Sequence, residues 1–140
     1  MGTKDVVDQL NRVPLFVGCL RKDLQTIARV VKDIEHPAGT VIAREGDPGV
    51  GLFVIAEGTT DVTIGGRRKS RLGPGDFFGE IALLDGGPRT ATVTATSDVK
   101  LLGLTEWTFR GLMMEHPSIA VKTLQAMAGR LRNATKAASA

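Results

Sequence analysis

The sequence predicts an α+β fold, an antiparallel barrel or roll of six or more short strands with helices at both ends. Three observations carry this. Apolar residues recur at helical spacing near both ends, short β-rich runs bounded by Gly and Pro fill the middle, and neither a Pro-, Gly- or Ser-rich linker nor an internal repeat divides the chain. With 140 residues, 42% of them hydrophobic, residues 1–140 are expected to form one domain around one core. The 24% charged fraction excludes wholesale disorder and a collagen-like or low-complexity chain.

At the N-terminus, Val6, Val7, Leu10 and Val13 form a short apolar pattern that Pro14 interrupts. Leu20, Leu24, Ile27, Ala28 and Val31 then fall on one face of a helix expected near 20–32. From Ile34 the period changes. Strands are expected at Thr40–Ala43, Leu52–Ala56, Thr60–Ile64, Arg67–Leu72, Thr90–Thr96 and Val99–Leu104. Pro37-Ala38-Gly39, Glu45 to Gly49, Gly65-Gly66 and Gly73 to Asp76 supply the turns, and Gly65-Gly66 suits a two-residue hairpin. Within Thr90–Thr96, Ala91, Val93 and Ala95 take one face and four threonines the other, as a half-buried strand requires.

Helices return at the C-terminus. Thr105 is positioned to cap a helix bearing Trp107, Phe109, Leu112 and Met113, which Pro117 ends; Trp107 is expected to anchor the junction of helix and barrel. A last amphipathic helix is expected from about Ser118 to about Asn133, with Ala120, Leu124, Met127, Ala128 and Leu131 on its apolar face.

Charge is uneven: residues 1–99 hold 12 Lys and Arg against 13 Asp and Glu, whereas residues 100–140 hold 6 against 2. Such a tail reads as a solvated helix face before it reads as a nucleic-acid surface. No run of uncharged apolar residues is long enough to span a bilayer, the N-terminus lacks an apolar signal core, and Cys19 is the single cysteine. A reducing cytoplasm is the expected location.

The segment that carries chemistry is Phe77 to Val93. A small-residue turn leads into a short apolar helical turn, whose N-terminus at Gly79 to Ala82 would present free N–H groups and a positive dipole end to an anion. After a Gly-Gly-Pro loop, Arg89 adds a cationic fork. Glu80 would repel a bare phosphate, but it suits a ligand that pairs a phosphate with sugar hydroxyls. Taken singly, Arg89 is as well read as a structural arginine paired with Glu80, Gly79 as a turn residue and Glu80 as a solvated acid. His36 and His116 stand apart from each other and from Cys19, so no metal site is expected, and no catalytic constellation is present.

The same segment resembles the phosphate-binding cassette of cyclic nucleotide-binding domains: Phe78 to Leu83 and Arg89 to Ala91 match it residue by residue. Pro14-Leu15-Phe16, Ala38-Gly39, Glu45-Gly46-Asp47, Glu57-Gly58 and Leu72 to Glu80 also resemble that family's spacing. The resemblance implies a jelly-roll-like β-roll of about eight strands with N-terminal helices and C-terminal lid helices. It implies that Gly79 and Ala82 offer backbone contacts, that Glu80 holds the ribose 2′-OH and that Arg89 pairs with the cyclic phosphate, with Ile81, Thr90 and Ala91 completing the cassette. Val62, Ile64 and Leu72 read as core by default, while Val62 and Leu72 also offer an apolar bed for the purine. The chain departs from the family where Val50-Gly51 replaces an acidic residue, and it has no Tyr to cap the base.

The expected ligand is cAMP, with cGMP as the alternative because Thr90 suits either. Arg130 is read in two ways, as a lid residue stacking on the base from the last helix or as one more solvated cation beside Arg132 and Lys136. The implied role is a regulatory module that answers to a protein effector, without catalysis or direct nucleic-acid contact. The alternatives are an excised regulatory domain of a channel, transcription factor or enzyme, a DNA-binding regulator, which would need a recognition helix, and a cupin-like enzyme, which would need a His and carboxylate cluster.

Overall fold

The computed structural model describes residues 3–48, 51–79 and 86–139. Helix α1 (Thr3–Asn11), a 3₁₀ turn (Pro14–Phe16) and α2 (Arg21–Val30) precede eight strands. These are β1 (Lys32–His36), β2 (Val41–Ala43), β3 (Gly51–Glu57), β4 (Thr60–Ile64), β5 (Arg67–Leu72), β6 (Phe77–Phe78), β7 (Thr92–Ala95) and β8 (Val99–Thr105). Helices α3 (Glu106–Glu115) and α4 (Pro117–Ser139) follow. The strands form two antiparallel four-stranded sheets, ordered β1-β8-β3-β6 and β2-β7-β4-β5, which face each other as a roll.

The first sheet is covered on both faces, so β3 and β8 are almost continuously apolar. Alternation sorts their residues. Leu52, Val54, Leu102, Leu104 and Phe77 face the helices and share a core with Leu10, Phe16, Ile27, Phe109 and Ile119. Ile55, Leu101, Val99 and Phe78 face inward and meet Val93, Ala95 and Ala43 of the second sheet. In β7 the predicted alternation holds, with Val93 and Ala95 buried, although the strand begins at Thr92 rather than Thr90. The Gly65-Gly66 hairpin forms with φ of +59° and +79°, the left-handed pair that a tight two-residue turn needs. At the sheet's edge, β5 exposes Arg67, Arg68, Lys69 and Arg71, charges that discourage pairing with another strand.

Three expectations need correction. The helix expected to reach about residue 32 ends at Val30, and residues 32–36, to which the sequence assigns no strand, form one; Ile34 packs against the inner cluster, and the strand exists through its register with β8. Trp107 is 86% exposed and anchors nothing. Thr105 does cap α3, accepting from the Thr108 N–H at 3.2 Å, but the buried face belongs to Phe109 and Leu112, and Trp107, two residues from Phe109, points to the other side.

Helix α4 starts at Pro117, where the absent N–H costs nothing, and extends to Ser139, past the expected end. Its packed face is Ile119, Thr123 and Ala126, not the predicted stripe, and Leu124 and Leu131 are exposed. Thr123 disguises this face: its hydroxyl donates to the Ile119 carbonyl at 2.8 Å, so it is buried without an unmet hydrogen bond. Among the described residues, no helix is long and apolar enough to cross a membrane.

Candidate functional site

Arg89 is the one arginine buried among the described residues, at 9% exposure. Its backbone is fixed from both sides, since its N–H donates to the Asp47 carbonyl at 2.7 Å and its own carbonyl accepts from Gly46 N–H at 2.9 Å. Gly46 turns the chain there with a φ of +88°. The neighbouring Thr92 hydroxyl accepts from Glu45 N–H, and the Glu45 carboxylate accepts from Gly65 N–H, both at 3.0 Å. This frame leaves the guanidinium little freedom. Its Nη1 donates to the Gly51 carbonyl at 3.2 Å, and its Cζ lies 5.6 Å from the centre of the Phe53 ring.

Gly79 brings the head of the cassette to the same point. It adopts a φ of +96°, and a Cβ there would fall on the Arg89 Nη1 and 2.5 Å from the Gly51 carbonyl oxygen. The sequence places Gly79 and Arg89 ten residues apart; the fold places them in contact. Both reasons for glycine apply here, the left-handed backbone and the close approach.

Val62 and Leu72 are half-buried and pack against the inward-facing cluster of the roll, as core residues do. Ala91 is half-buried and Thr90 is exposed, beside Arg89 in the chain. Glu80, Ile81 and Ala82, the remaining cassette positions, lie outside the described residues. Arg130 is exposed, yet it is held on one side: its Nη2 donates to the Phe77 carbonyl at 2.6 Å and its Cζ lies 4.6 Å over the Phe77 ring. It continues the packed face of α4 one turn beyond Ala126.

Two participants escaped the sequence reading. Phe53 looks like one more apolar residue of a strand, and Gly51 like a departure from the family pattern. The one available signal was the departure at Val50-Gly51 from the acidic residue of the family pattern; the Gly51 backbone carbonyl is an acceptor that any residue type carries. Among the described residues, no three His, Cys, Asp or Glu side chains converge as metal ligands.

The two segments of the eight-stranded roll that the sequence singles out thus meet at one buried, tethered guanidinium, Arg89 beside Gly79. The family described as the cyclic nucleotide-binding domain matches residues 33–116. A cyclic nucleotide-gated potassium channel of Mesorhizobium japonicum is 43% identical over 108 residues, which are 77% of this chain and 30% of the channel. Thermus thermophilus catabolite activator protein, as a crystal structure, superimposes with a TM-score of 0.81 at 32% identity, covering 90% of this chain and 62% of that one. The regulatory domain of Toxoplasma gondii PKA, co-crystallised with cAMP, gives 0.69 at 34% identity, over 78% of this chain and 43% of that one. The chain belongs to the cyclic nucleotide-binding domain family. It spans less than a third of the length of the bacterial channels it matches.

Proposed function

We propose that this chain is a cAMP-sensing regulatory module without chemistry of its own, in which Arg89 holds the cyclic phosphate. The observation that carries the reading is the Arg89 guanidinium, buried and tethered against Gly79. A fork already held by Gly51 meets a phosphate with less side-chain entropy left to lose. Gly79 and Ala82 supply backbone donors, Glu80 accepts from the ribose 2′-OH, and Ile81, Thr90 and Ala91 close around the phosphate and sugar. Val62 and Leu72 support the apolar face of the purine.

Preference for cAMP over cGMP draws support from the relatives and structures named for cAMP. Thr90, exposed beside Arg89, is compatible with either base. Calorimetric titration with each nucleotide tests the reading. Saturable cAMP binding, tighter than cGMP, is expected; tighter cGMP binding overturns the preference, and binding of neither overturns the function.

The output we propose is movement of α4. Arg130 ties that helix to Phe77, and Phe77 leads directly through Phe78 and Gly79 into the cassette. A ligand that gathers the cassette changes what Arg130 can reach, and it biases α4 only to the extent that it binds one helix position better than another. The effector reading α4 is a protein. The share of each channel relative that this chain spans favours a regulatory domain working within, or on, a larger effector in the cytoplasm.

A further inference from the structure

We infer that Phe53 is a positioning residue for Arg89, holding its guanidinium through the face of the ring. The inference rests on the reading of Arg89 as the phosphate partner and extends it to the residue that orients it. Across the first sheet, register pairs Gly103 with Phe53 and Phe53 with Phe78. A Cβ built on Gly103 would stand 3.5 and 3.6 Å from the Phe53 ring, ordinary packing distances, so the ring lies beside the backbone of its cross-strand partner. On its other side Phe78 stacks against it, with centroids 5.3 Å apart and planes at 28°. The ring is clamped, and the Arg89 Cζ stands 5.6 Å from its centre.

Two of the restraints on Arg89 differ in kind. The Gly51 carbonyl holds one Nη through a hydrogen bond, and the Phe53 face attracts the cation through its negative quadrupole. Phe53 is half-buried and Arg89 buried, so water competes poorly for this contact. The same stack joins Arg89 to Phe78, the residue directly before Gly79, so both ends of the cassette rest on one aromatic pair.

The test uses Phe53→Leu, Phe53→Met and Phe53→Tyr, with thermal melting as the control for folding. In ¹⁵N–¹H spectra of the unliganded protein, the Arg89 side-chain signal should lose its ring-current shift in Phe53→Leu and Phe53→Met and keep it in Phe53→Tyr. Affinity for cAMP should fall by about three- to thirty-fold in the first two, the range that a partly desolvated cation–π contact allows, and return in the third. In an Arg89→Ala background, Phe53→Leu should cost less than about twofold further. An Arg89 signal that ignores Phe53, or an undiminished loss in that background, overturns the inference. If neither cyclic nucleotide binds the native protein while the Arg89 signal still follows Phe53, the positioning stands and the reading of the site as a cyclic nucleotide pocket fails.

Discussion

Gly79 lies so close to Arg89 that a single added carbon would occupy the space of the guanidinium nitrogen. Two ends of a loop are thereby locked at one point, and the lock has no slack, because the same carbon would also meet the Gly51 carbonyl. Gly79→Ala should displace Arg89 and strain the backbone at a φ of +96°. The strain alone is worth about 1 kcal/mol. We expect a folded protein with a lower melting temperature and at least about tenfold weaker cAMP binding; an alanine variant with native affinity would mean that Arg89 is free to move aside.

Arg89→Ala removes the fork itself. A charge-assisted pair contributes about 1.5–3 kcal/mol, so titration should show binding weakened by about tenfold to several hundredfold. Arg89→Lys should not restore it, because an ammonium group cannot bond the Gly51 carbonyl and a phosphate in one plane. Native affinity in a folded Arg89→Ala protein would remove Arg89 from the site.

Glu80→Ala should act on selectivity. Losing the acceptor for the 2′-OH should erase the advantage of cAMP over its 2′-deoxy analogue while leaving phosphate recognition in place. Continued discrimination between the two ligands by the variant would assign the ribose to another residue.

The sequence was most informative where physical periodicity and local chemistry agreed. The alternation in β7, the Gly65-Gly66 turn and the Thr105 cap were all legible, because each depends on nearby residues, whereas Gly79 and Arg89 stood out by family resemblance and their contact is made by the fold. Strand β1 was not, since Lys32 to His36 is polar and becomes a strand only through register with a segment far along the chain. The packed face of α4 was misassigned because Thr123 hides its hydroxyl in its own helix while the more apolar Leu124 stays in solvent. Phe53 was invisible for a related reason: its composition says core, and only the fold sets it beside Arg89.

The β4–β5 hairpin, which carries Val62 and Leu72, holds an ion pair between Asp61 and Arg71 at 2.9 Å. The Arg71 hydrogen bond holds the Asp61 carboxyl below its ordinary value. A depressed carboxylate pKa stabilises the fold above the unfolded aspartate value, about 3.9, and this contribution is lost as pH falls through the folded value. The gap in melting temperature between native protein and Asp61→Asn should be present at pH 7 and close in acid. It should be small, since the pair is solvent-exposed. A gap that widened in acid would reverse the sign of the argument.

Arg130 offers the sharpest test of signalling. In this structure it is held by Phe77 through both a 2.6 Å hydrogen bond and its ring face, so α4 is already docked on the strand that feeds the cassette. Two consequences separate a moving lid from a fixed brace. If cAMP draws Arg130 onto the purine, hydrogen exchange should show added protection between residues 120 and 133 on saturation, because the ligand then favours one position of α4. Arg130→Ala should abolish that protection and weaken cAMP by about three- to thirty-fold, the span of a stacked cation in a partly dry site. If Arg130 only braces Phe77, Arg130→Ala should lower protection of α4 with and without ligand alike, and cAMP should change nothing between 120 and 133. That second pattern would leave α4 as scaffold and move the output to another element.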